Sequence, residues 1–144
     1  MITMVIRDGG CIFNLGVRIS PTVSIGETNG PFIAVDVTQG EGCEKHEYFM
    51  AYFTFNEAYL IADRILTQLQ LGVNGAFSLT DKHIGYCLVA FTVKEGVLTI
   101  HVKVSKDNSQ SVAFGKYENR SIVLDKYEIL VFANAILALV SDSR

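Results

Sequence analysis

Two stretches alone carry apolar residues at the three-and-four spacing of a helix face, and they fall at similar places in the two halves of the chain. The first runs from Glu57 to about Gln70, with Ala58, Ile61, Ala62, Ile65, Leu66 and Leu69 on one side. The second runs from Lys126 to about Val140. Asn56 is read as the first N-cap, Gly72 as the first helix's stop, and Asp125 with Glu128 as a relative of the capping box. A shift of 71 positions lays the six apolar residues of the first helix on Ile129, Phe132, Ala133, Ile136, Leu137 and Val140. The caps Asn56 and Asp125 then require a two-residue slip.

Nearly everything else reads as β. Runs rich in Val, Ile, Phe, Thr and Tyr, broken by Gly, Asn, Asp and Pro, place strands at 2–7, 10–19, 22–26, 31–38, 46–55, 75–80, 83–94, 97–105, 110–117 and 121–124. The clearest alternation lies in 97–105. There Leu98, Ile100, Val102 and Val104 fall on one side, and Thr99, His101, Lys103 and Ser105 on the other. That pattern suits an antiparallel sheet with one wet side. Turns at Lys94-Glu95-Gly96 and at 106–109 join 83–94, 97–105 and 110–117 into a meander. The expected fold class is α+β, as two tandem antiparallel sheet-plus-helix units (ββββα-ββββα). They form a single domain over residues 1–144 with a pseudo-repeat of 1–72 and 73–144.

Composition narrows the class of function. A chain of 144 residues that is 49% hydrophobic and 19% charged can bury a core, and disorder is excluded. Cys11, Cys43 and Cys87 are odd in number and dispersed, which predicts reduced thiols in a cytoplasmic, reducing compartment. The first residues reach charge at Arg7 too early for a secretory segment, and the apolar run 129–140 is too short to span a bilayer.

The motifs of enzyme chemistry are absent: there is no phosphate-binding glycine loop, dinucleotide fingerprint or nucleophile elbow. His46, His83 and His101 are isolated, so no metal or other cofactor is expected. Cys87 in a strand reads as a buried thiol, and Glu41, Glu44 and Glu47 as a solvated loop. The chain is accordingly read as non-enzymatic.

The net charge of −3 divides unevenly. Residues 1–72 carry four Lys/Arg against eight Asp/Glu, and residues 73–144 carry eight against seven. The run Phe114-Gly115-Lys116-Tyr117-Glu118-Asn119-Arg120 interleaves rings, cations and an amide, with Lys103 and Lys106 upstream. Single-stranded nucleic acid is held by that combination, bases stacking on rings and phosphates meeting cations. A solvated sheet face would show the same pattern. Lys45, His46, Tyr48 and Tyr52 form a fainter counterpart in the first half. The second helix is apolar round nearly its whole circumference. That predicts cover from a second subunit and a hydrogen-bond partner for Asn134.

Residues 98–139 resemble the single-stranded-DNA-binding module of the positive cofactor four, Whirly and Pur-like group. The resemblance rests on Ile100-His101-Val102-Lys103-Val104-Ser105-Lys106 and on the stretch from Phe114 to Asp125. Whirly and Pur-type members carry two strand-and-helix units in one chain. The resemblance implies a Whirly-like fold that binds single-stranded DNA or RNA on its sheets, as a transcription or replication accessory. On that carry-over Lys103, Lys106, Lys116 and Arg120 meet phosphate and Tyr117 stacks, with Asn119, His101, Lys45, Tyr48 and Tyr52 completing the surface. It also implies a homo-oligomer, here through the apolar helix 126–140. The alternative is a protein-interaction or inhibitory module that acts through the acidic N-terminal half.

Overall fold

Each helix is set by the same local device. In the computed structural model α1 spans Phe55–Leu71 and α2 spans Lys126–Asp142, 17 residues apiece. The N-cap of α1 is Thr54, two residues earlier than Asn56. Its Oγ1 accepts from the Glu57 backbone N–H at 3.1 Å, and Glu57 Oε1 accepts from the Thr54 N–H at 2.9 Å. Asp125 and Glu128 repeat this at the start of α2, with both bonds at 2.9 Å. Two otherwise orphaned N–H groups are satisfied at each helix start. With Thr54 as the cap, the 71-residue offset now covers caps, box carboxylates and apolar positions alike, and the slip disappears. Gly72 ends α1 in the left-handed region at φ 66°, where its N–H and that of Val73 return to the last carbonyls of the helix.

The matched boxes carry a matched cost. Thr54→Ala and Asp125→Ala are each expected to lower stability by about 1 kcal/mol. The two losses, read from urea midpoints, should agree within error, whereas Asn56→Ala should change nothing measurable.

The structure describes residues 2–8, 11–20, 24–25, 28–29, 31–39, 48–80, 87–104 and 120–142. Strands β1 (Ile2–Asp8), β2 (Cys11–Ser20), β5 (Phe32–Gln39) and β6 (Tyr48–Phe53) form one antiparallel sheet in the order β1-β2-β5-β6. A small hairpin, β3 (Ser24–Ile25) with β4 (Thr28–Asn29), lies between β2 and β5 in the chain. It takes the place of the single strand expected at 22–26. After α1 come β7 (Gly75–Thr80), β8 (Cys87–Lys94), β9 (Val97–Val104) and β10 (Arg120–Leu124), a second antiparallel sheet in the order β10-β9-β8-β7. The described residues therefore form an α+β fold, with two four-stranded antiparallel sheets, the small hairpin and two helices.

The segment 110–117, expected as the third strand of the meander, lies outside the described residues. β9 pairs on one side with β8 and on the other with β10, Ile122 facing Ile100 and Leu124 facing Leu98. Glu95 and Gly96, both at positive φ, close the β8–β9 hairpin, as twisted two-residue turns require. The Glu95 N–H also donates to Asn74 Oδ1 at 3.0 Å.

One apolar core joins both sheets and both helices. Leu15, Val17, Ile33, Val35, Ala51 and Phe53 from the first sheet meet Val89, Phe91, Val93, Leu98, Ile100, Ile122 and Leu124 from the second. Ala58, Ile61, Ala62 and Ile65 of α1 and Ile129, Phe132, Ala133, Ile136 and Val140 of α2 fill the same cluster. The helices pack on each other, α1 against β5, β6 and β8, and α2 against strands of both sheets. Phe77 stacks on Phe91 with centroids 5.1 Å apart.

α2 is not covered all round. Tyr127, Val131, Asn134 and Ala138 form an exposed stripe. Asn134 lies on that stripe, exposed in the single chain.

Candidate nucleic-acid interface

The two sheets differ on the side turned away from the core. On the first sheet this side is closed. Phe32, Ala34 and Tyr52 are buried there as a second, small apolar cluster, and Gly16 is buried beside them. Arg18 and Asp36 cross the strands with Nε to Oδ2 at 3.1 Å, both side chains largely shielded from water. Partial burial of Arg18 works against its charge. The hydrogen bond and attraction of Asp36, with a further hydrogen bond to Tyr52, outweigh this and hold its pKa above the ordinary value. This side is thus a buried apolar patch latched by an ion pair.

On the second sheet the corresponding side is open. Register sets Ser78, Ala90, His101 and Ser121 in one cross-strand row, and Ala76, Thr92, Thr99 and Val123 in the next. Ala76, Ser78, Thr92 and Val123 are exposed, and Ala90, Thr99 and His101 are half-buried. The described side chains here are small, mostly hydroxyl or methyl, and none carries a negative charge. The hydroxyls of such a surface can donate hydrogen bonds to phosphate oxygens, and its described side chains impose no repulsion on an anion.

The residues expected to bind distribute unevenly over these surfaces. His101 and the position of Lys103 fall on the open side of the second sheet, since Leu98 and Ile100 between them face the core. Position 120 falls on the other side, facing Val102 in the row parity of the buried Ile122 and Leu124. The register therefore separates Lys103 from Arg120. In the first sheet, Tyr48 pairs with Thr38 and Tyr52 with Ala34. Tyr52 is only 7% exposed, so its ring has no free face for a base and its placement lends the stacking role no support. Lys45, Lys106, Lys116, Tyr117 and Asn119 lie outside the described residues. Sequence reasoning passed over Thr92, Thr99 and Ser78. Their signal was available, because Thr92 and Thr99 alternate with buried apolar residues and Ser78 with the half-buried Phe77 and Leu79.

A groove of about 450 Å³ runs between the end of α1 and the start of α2, floored by Leu66, Leu69 and Leu130 and edged by Gln70, Lys126 and Asn134. It holds no acid–base pair or nucleophile. Among the described residues no three His, Cys, Asp or Glu side chains converge on a point where a metal could bind. No helix among them is long and apolar enough to cross a membrane. Neither a family model nor a curated protein matches this chain.

Proposed function

We propose that the chain is a non-catalytic binder of single-stranded nucleic acid, DNA or RNA, which lays the strand across the open side of the β7–β10 sheet. The observation that carries this reading is that side itself: an open surface with the hydroxyls of Ser78, Thr92 and Thr99, His101 and the position of Lys103, while on the counterpart side of the first sheet Phe32, Ala34 and Tyr52 are buried. The Whirly-like reading agrees with the order of elements. Each half strings four long strands into an up-and-down antiparallel sheet and ends in a 17-residue helix with the same capping device. We read the halves as tandem repeats of one ββββα unit, the β3–β4 hairpin being an insertion in the first.

Fluorescence anisotropy with labelled single-stranded oligonucleotides at low salt tests this directly. The wild-type protein should bind. Thr92→Glu combined with Thr99→Glu puts two negative charges in the middle of the open side and should weaken binding at least about tenfold by repelling phosphate. Both positions face away from the core, so far-ultraviolet circular dichroism should stay unchanged. Wild-type protein that binds no oligonucleotide at low salt sinks the reading.

The second reading, a protein-interaction or inhibitory module working through the acidic first half, is favoured by Tyr59 and Leu60, both exposed on α1 near Asp63. Leu60→Ala leaves oligonucleotide binding intact under the first reading and abolishes partner capture under the second.

A further inference from the structure

The two sheets have four outer strands: β1 and β6 in the first, β7 and β10 in the second. An outer strand presents unpaired N–H and C=O groups, which proteins cover or guard with charge or proline. β1 and β10 lie against one another. β6 is enclosed, with Ala51, Tyr52 and Phe53 all buried. β1 still shows Val5 to water at 57% exposure, but its sequence carries Arg7 and Asp8, and β10 begins with Arg120; β7 has no such guard. Ala76 and Ser78 are exposed, and Gly75, Phe77 and Leu79 only half-buried. Its six residues, Gly-Ala-Phe-Ser-Leu-Thr, include no charge and no proline. Just before it, Leu71 and Val73 are 68% and 52% exposed, a poor use of large apolar side chains in a free surface.

We propose that the β7 edge is a docking surface for a second copy of this chain, the two β7 strands pairing antiparallel about a two-fold axis. Two four-stranded sheets then become one of eight strands. The occupant follows from a comparison of the edges. Among the described residues β7 alone of the four combines an uncharged sequence with side chains open to water, so the edge that suits it best is a copy of its own. Pairing of the edge with itself closes after two copies. The strand is also complementary to itself. A register centred on Ser78 sets Phe77 against Leu79 of the second copy and Ala76 against its Thr80. Apolar residues thus stay on the core side, small ones on the open side, and no like charges meet. Leu71 and Val73, next to the joint, gain cover. The open side of the second sheet continues across the joint as one surface.

Sedimentation equilibrium across the micromolar range tests the assembly, since one chain is 15.9 kDa. The wild-type protein should reach twice that mass. Ala76→Lys with Ser78→Lys should hold it at one chain, because a charged edge rejects its copy, while Val131→Glu on the exposed stripe of α2 should leave the dimer intact. Amide exchange of residues 75–80 in wild-type protein should slow as concentration rises, a readout that stands even if the lysine variant folds poorly. A single-chain mass at every concentration overturns the proposal. So does a dimer that survives the lysine pair and is lost in Val131→Glu, which places the interface on α2. Protection of 75–80 that is independent of concentration also overturns it.

Discussion

Phe132→Ala is expected to cost about 3–5 kcal/mol, a large share of the roughly 5–15 kcal/mol that holds a domain of this size together. Phe132 is almost wholly buried in the cluster to which both sheets and both helices contribute. Truncating its ring therefore opens a void inside that shared cluster. Val131, its neighbour on the exposed stripe, supplies the control: Val131→Ala should stay within about 0.5 kcal/mol of wild type. Urea unfolding followed by circular dichroism reads both. The midpoint should fall sharply for Phe132→Ala with the slope unchanged, in one transition. A biphasic curve, with the first half unfolding at its wild-type midpoint, would mean that the two halves have separate cores and contradict the shared cluster.

The elements were legible in the sequence wherever periodicity was unmixed. The alternation from Val97 to His101 marked buried and open sides residue by residue, and the helix spacing marked the buried stripe of α1. Thr54-Phe55-Asn56-Glu57 spells a capping box, yet Asn56 alone is also a good cap, and local preference cannot choose between them. The structure chooses Thr54 because Glu57 can then reach back to its N–H. Phe32-Ile33-Ala34-Val35 held a signal of another kind. Four consecutive apolar residues indicate a strand buried on both sides, and all four are buried. Placed only as a strand at 31–38, with no side assigned, this run left the closure of the first sheet unread and Tyr52 among the candidate binding residues. Which strands end up outermost was not legible at all. Pairing of β9 with β10 spans a long intervening segment, and enclosure of β6 depends on how α1 folds back. Both are tertiary events that strand propensity does not encode.

Affinity for single-stranded oligonucleotide should fall roughly 20-fold between about 50 and 200 mM salt, if Lys103, Lys106 and Lys116 each neutralise one phosphate and the slope on a log–log plot is about −2. Three contacts is a modest number, in keeping with a net charge of −3 and an acidic first half. Single substitutions apportion the slope. Lys103→Gln, on the open side of the second sheet, should reduce it by about 0.7, the share of one phosphate on a single strand. Lys126→Gln should leave it unchanged, since Lys126 lines the groove between the helices, away from that side. Arg120→Gln is the informative case. The run of aromatic and basic residues groups Arg120 with Lys116, whereas the register sets position 120 on the core side of the sheet with Ile122 and Leu124. If the strand crosses the open side, Arg120→Gln leaves the slope at its wild-type value. A loss equal to that of Lys103→Gln would instead place the nucleic acid at the end of β10, outside the surface lined by Thr92 and Thr99.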